Sequence, residues 1–193
     1  MNTEYSLESN CIKKDYEVMV KKDLFEYLIF CLEKWKKKIG ENQVPVFSKL
    51  RLQKILFLVC TCMATNEEKK LLSIFDDFYA LPYGPVEIEI YEAMKQNKGF
   101  RYISFKGNEC VYNKLEDSMF DNLPIKERKW IDEAVDKFIA EKRNYLTIPV
   151  FDLVDITHKW SVWYVMMEYA KSMGHNMEKM ETDDILKSTK YYG

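Results

Sequence analysis

The chain has 193 residues, which bounds it to one domain or one domain with an arm. Apolar residues make up 47% and aromatics 15%, ample for a core, while 29 Lys and Arg nearly balance 31 Asp and Glu, giving a net charge of −2. That balance lacks the basic excess of a dedicated nucleic-acid binder, and no run approaches the roughly 18 apolar residues of a membrane span.

Residues 1–20 are polar and show no clear periodicity, so they are read as an N-terminal arm, with a single domain over 21–193. Asp23 is placed to cap a helix to Ile39, whose apolar positions Leu24, Leu28, Leu32, Trp35 and Ile39 follow the 3.6-residue period. Gly40 ends it. Ser48 can cap a second helix to about Ala64, with Leu52, Ile55, Leu56, Val59 and Met63 as its buried stripe. A short helix over Glu67 to Leu72 and an extended segment, Ile74 to Leu81, follow.

The stretch Leu81-Pro82-Tyr83-Gly84-Pro85-Val86 then places two of the five prolines and one of the six glycines within four positions. Both residues that precede a proline, Leu81 and Gly84, are biased away from the α region, and Pro85 suits the first position of a helix. The expectation is a rigid turn from an extended segment into a helix from about Pro85 to Gln96, with Ile88, Tyr91 and Met94 inward. Tyr102 to Phe105 and Cys110 to Tyr112, joined by Lys106-Gly107-Asn108-Glu109, read as a β-hairpin. Pro124 opens a helix to about Arg143 that buries Trp130, Ile131, Ala134, Val135, Phe138 and Ile139. Thr147 is placed to cap the next, Ser161 to Met173 forms another that stops at Gly174, and Thr182 to cap a last one reaching Ser188. The fold class is mainly α (α+β): six to eight helices with a small antiparallel hairpin.

Chemical motifs are scarce. There are two histidines, and no H-E-x-x-H, paired C-x-x-C or Walker-type loop occurs. Five cysteines at irregular spacing, with no apolar leader in "MNTEYSLESNCIKKDYE", indicate reduced thiols in the cytoplasm and no metal or other cofactor. Cys60 and Cys62 lie on different faces of their helix. Asp76 and Asp77 point oppositely if extended. The run Lys34-Trp35-Lys36-Lys37-Lys38 complements a helix C-terminus or offers phosphate contacts. His158, in "DITHKWSVW", either anchors a helix corner or serves a catalytic pair with a thiol or carboxylate nearby.

Three segments in order resemble the Panacea domain, the SocA-like antitoxins, which include phage-associated GepA-type proteins. They are "KLRLQKILFLV" (Lys49 to Val59), "DDFYALPYGPVEIEIYEAM" (Asp76 to Met94) and "LVDITHKWSVW" (Leu153 to Trp163). The likeness runs from about residue 20 to the end. Phe57 stands where that family usually has tyrosine, and Leu81 where it usually has tryptophan. The resemblance implies an antitoxin-like protein-binding module and not an enzyme. It implies a cognate toxin as partner, encoded by an adjacent gene and neutralised by direct binding, in some relatives by delivery to a bacterial protease. The motif residues it carries over as candidate partner-binding positions are Gln53, Lys54, Tyr83, Gly84, Pro85, Thr157, His158 and Trp163. The competing reading is a nucleic-acid-binding regulator using the hairpin as a wing, although Arg101, Lys106 and Lys114 are few cations for that role. The turn is further expected to pack against the Thr157–Trp163 corner.

Overall fold

A computed structural model describes residues 2–40 and 43–190. Among them are seven α-helices and two small antiparallel sheets, a mainly helical α+β fold. The first helix, α1, runs Asn2–Ile39, through the expected start at Asp23. No glycine or proline interrupts those residues, so nothing in the sequence stops the helix N-terminal to Asp23. Asp23 therefore caps nothing and instead pairs with Arg101 at 3.1 Å. Gly40, at φ +112°, ends the helix as expected.

Helix α2 (Lys49–Cys62) is the centre of the molecule. Ser48 caps it by accepting from the Arg51 N–H. Every residue from Arg51 to Cys60 is buried, not only the predicted stripe. A helix buried on all sides packs apolar residues against several neighbours at once, each contributing about 1.5–3 kcal/mol when fully buried. Phe57 meets Phe78 and Trp160 edge-on at 5.3 and 5.2 Å. Arg51 donates to the carbonyls of Leu146 and Ile148, tying α2 to the chain before the fifth helix.

A 3-10 turn, Lys70–Ser73, replaces the short helix expected over Glu67 to Leu72. Strand β1 (Phe78–Leu81) then folds back through Pro82 and Tyr83 onto β2 (Gly84–Glu87). The pairing sets Leu81 opposite Gly84 and Phe78 opposite Glu87. Pro85 is thus a strand residue, and α3 (Ile88–Gln96) starts three positions later than the sequence indicates. The proline ring fixes φ but is equally at home on an edge strand, where its missing N–H leaves no gap. The helix register shifts accordingly: Ile90, Ala93 and Met94 are buried, whereas Ile88 and Tyr91 are half-buried.

The hairpin forms as β3 (Ile103–Lys106) and β4 (Glu109–Tyr112), close to its predicted limits. Its turn glycine, Gly107, has φ +61°. Helix α4 (Ile125–Lys142) buries Ile131, Ala134, Val135, Phe138 and Ile139, with Trp130 half-buried. It binds α1 through Tyr27 Oη, which donates to Asp132 at 2.7 Å. Helix α5 (Val150–His158) follows a 3-10 turn in which the Thr147 hydroxyl donates to Asn144. Thr147 is therefore spent on that turn and does not cap α5. Helices α6 (Ser161–Ser172) and α7 (Thr182–Lys187) complete the chain. Glu181 stands at the N-cap of α7, with Thr182 the first helical residue. Between them β5 (Glu178–Lys179) joins the far edge of β1, giving the order β2-β1-β5.

Candidate functional site: a buried turn that presents an aromatic pair

The site is built on the edge of β2. An edge strand has backbone groups with no strand to meet them, and burial makes each unmet group costly. Two side chains of α2 supply the partners. Gln53 accepts from the Glu87 N–H at 2.9 Å and donates to the Glu87 carbonyl at 3.3 Å, as a neighbouring strand would. Lys54, fully buried, donates to the Pro85 carbonyl at 2.6 Å. Among the described residues no carboxylate pairs with it, and burial pulls its pKa down to about 7.

Glu87 is also fully buried and turns the chain into α3, its carboxylate accepting from the Ile90 N–H at 2.8 Å. Lys21 of α1 reaches the same carboxylate at 2.8 Å and also contacts Asp76 and Glu89. Burial pushes Glu87 up to about 7 against the pull of Lys21. Burial draws the Lys21 pKa downward, but Glu87 and its two companions outweigh this and raise it. Asp77 pairs elsewhere, with Lys179, so Asp76 and Asp77 share no site.

Gly84 lies where three elements meet. Its φ is +90°, and a Cβ built there would fall 2.5 Å from Thr157 Oγ1 and 3.1 Å from Lys54 Nζ. Only glycine allows both the left-handed backbone and this approach. The turn does pack against the α5–α6 corner. Trp163 Nε1 donates to the Leu81 carbonyl at 3.0 Å, and His158 stacks flat on Trp163 with centroids 3.6 Å apart. Burial, reinforced by the neighbouring Lys54 charge, pushes the His158 pKa down to about 4, opposed by Asp155 and the Pro82 carbonyl. Its Nε2 is buried and has no hydrogen-bond partner among the described residues. Its backbone contact is Pro82, and among the described residues no thiol or carboxylate hydrogen-bonds to it.

All eight predicted motif residues therefore converge on one turn. Gln53, Lys54, Gly84, Pro85 and Thr157 are buried, and His158 and Trp163 half-buried. Tyr83 differs: its ring is 62% exposed although the turn beneath it is locked on both sides. Phe151 of α5, 60% exposed, meets it edge-on at 6.3 Å. Beside this pair lies a groove of about 620 Å3 lined by Leu50, Pro82, Tyr83, Val86, Tyr91 and Val150. Tyr91, expected in the core, thus borders the groove.

Sequence reasoning does not find Phe151, Lys21 or Glu87. The start of α5 offers a weak signal, since Phe151 stands beside Asp152 in the first turn of an amphipathic helix whose buried positions are Leu153, Val154 and Thr157. The basic run of α1 is partly absorbed by the fold: Lys34 and Lys38 lie over Phe30 and Trp35, and Lys36 pairs with Glu33. Cys31, Cys60, Cys62 and Cys110 are free thiols, and Cys60 is fully buried. Among the described residues no group of three or more His, Cys, Asp or Glu is arranged to hold a metal ion, and no helix is long and apolar enough to cross a membrane.

Fold and site together define a small helical domain organised around a side-chain-clamped turn. The chain belongs to the antitoxin SocA-like, Panacea domain family, whose model matches residues 52–164. That span opens on Leu52-Gln53-Lys54 and closes one residue beyond Trp163, so it holds all eight motif residues. Comparison with curated proteins and with solved structures finds no match.

Proposed function

We propose that this protein is an antitoxin that neutralises a cognate toxin protein by direct contact, acting as a binding module and not as an enzyme. The contact surface is the Tyr83–Phe151 pair with the adjoining groove. The observation that carries this reading is the combination of exposure and rigidity at Tyr83. A solvated aromatic ring on a mobile loop loses ordering entropy when a partner binds; one on a clamped turn has already lost it. Exposed aromatics that a partner can desolvate are the side chains that dominate interface energies. Family membership supports a toxin as the kind of partner. His158, stacked and facing the Pro82 carbonyl, is a positioning residue of the corner in this reading.

The toxin is expected from the adjacent gene. Co-expression should relieve its toxicity, and the two proteins should co-purify. Tyr83→Ala and Phe151→Ala should each abolish or strongly weaken rescue with unchanged thermal melting, because both rings are mostly solvent-exposed. Rescue that persists in a host lacking its major cytoplasmic proteases assigns steric blocking; rescue lost there assigns delivery to a protease. A neighbour harmless on its own, or full rescue by the Tyr83→Ala/Phe151→Ala double variant, defeats the proposal.

A further inference from the structure

At the opposite end of α2 from the turn lies a second cavity, of about 290 Å3. Leu58, Phe138, Tyr145, Ile156 and Trp160 form its apolar walls. Lys142, Lys159 and Lys190 stand around it with Glu141. Lys190 Nζ sits 4.5 Å above the Trp160 ring and Lys142 Nζ 6.0 Å from that of Tyr145, so two of the ammonium groups rest on aromatic faces. The backbone bridge between Trp160 and Lys190 fixes the base of one of them.

Several lysines elsewhere in the molecule find carboxylates: Lys69 with Asp183, Lys95 with Glu92, Lys114 with Glu116 and Lys171 with Glu168. Among the described residues Lys142, Lys159 and Lys190 form no ion pair. The ordinary explanation for cations here is the helix dipole, because α2, α4 and α5 all end at this cavity. Three C-termini at about half a charge each, with Glu141, amount to roughly −2.5. Against this stand these three lysines and Lys137, whose ammonium already meets the Cys62 carbonyl at 2.9 Å. The balance stays positive by about 1.5 charges, so the dipoles do not account for all the cations. Like charges are held together here: Lys142 and Lys137 both act to strip the proton from Lys190, after burial as the first cause.

We propose that this cavity binds a small phosphate ester, its phosphate among Lys142, Lys159 and Lys190 and its compact organic body against Phe138 and Tyr145. A dianion suits several ammonium groups gathered around one cavity, which recognise phosphate as point charges. A bare phosphate would leave the apolar part of the cavity unfilled, whereas the volume is near the lower end of small-ligand pockets. This site is separate from the Tyr83 surface and does not depend on the antitoxin reading.

Isothermal titration of the full chain at low salt tests it with three probes: phenyl phosphate, inorganic phosphate and phenylacetate. One equivalent of phenyl phosphate should bind, more tightly than either of the others. Lys142→Met and Lys159→Met should each weaken it roughly tenfold, the loss of one charged hydrogen bond, while Lys106→Met on the hairpin changes nothing. Backbone amide shifts of the unmodified protein should move at Tyr145 and Lys159, a readout that needs no variant. Inorganic phosphate binding equally well would overturn the ester, and phenylacetate doing so would overturn the phosphate. No binding of phenyl phosphate at millimolar concentration, or shifts located elsewhere, would overturn the site.

Discussion

Gly84→Ala is the sharpest perturbation of the turn, and its effect can be worked from the geometry. The residue sits at φ +90°, a conformation that costs a non-glycine residue about 1–3 kcal/mol. The added Cβ falls 2.5 Å from Thr157 Oγ1 and 3.3 Å from Lys54 Cε. Comfortable contacts are about 3.5–4.0 Å, so Thr157 must retreat by roughly 1 Å. Thr157 and Lys54 are both fully buried, and such overpacking costs about 1–3 kcal/mol more. The total is about 2–6 kcal/mol, a large share of a typical stability of about 5–15 kcal/mol. Urea unfolding followed by circular dichroism should show a fall in midpoint with an unchanged slope. Thr157→Ala removes the atom that is struck at the expense of one bond within α5, to the Val154 carbonyl. In the double variant about 1–3 kcal/mol of the Gly84→Ala loss should return. A Gly84→Ala effect below about 0.5 kcal/mol, smaller than the backbone cost alone, would refute the account of the turn. Strict additivity of the two substitutions would refute the clash and leave only the backbone contribution.

Gln53→Ala should destabilise by about 2–5 kcal/mol in the same assay, because it leaves both the N–H and the carbonyl of buried Glu87 unpaired. Lys54 makes stability depend on pH. Its pKa is about 7 in the folded chain against an ordinary 10.5, so between those values the unfolded chain binds a proton that the folded one does not. Stability should therefore rise with pH across that window, by up to about 1.4 kcal/mol per unit. The contribution should vanish in Lys54→Met, seen as the difference in slope between the two proteins. His158, lowered from 6.5 to about 4, should add a rise between those values, absent from His158→Phe if the stack on Trp163 is kept.

Periodicity carries much of the helical architecture. The Leu52–Val59 stripe, the Ser48 cap, the buried face of α4 and the hairpin around Gly107 are local patterns, each legible in the amino-acid sequence alone. The turn itself is legible, because a stretch dense in proline and glycine stands out in a chain poor in both; the motif residues as a set are legible only through the resemblance of three segments to the Panacea family. Their roles are not. Gln53 and Lys54 bond to residues 34 and 31 positions away, and nothing in a local window says that their targets are the edge of a strand. Nor does the α2 stripe reveal that the helix is buried on every side, which is what compels its polar residues to satisfy other backbones. Local preference reads Gly84–Glu87 as a helix start because Pro85 fits one; pairing with Phe78–Leu81 makes it a strand, as cross-strand contacts outweigh weak local preference. The continuation of α1 N-terminal to Asp23 escapes a periodicity reading for the opposite reason: polar residues without an apolar stripe still make helix when no breaker intervenes. Exposure, too, is decided only in three dimensions. Tyr83 and Phe151 are 68 positions apart and neighbours only because α5 packs on β2, which turns two ordinary aromatic residues into one solvated surface.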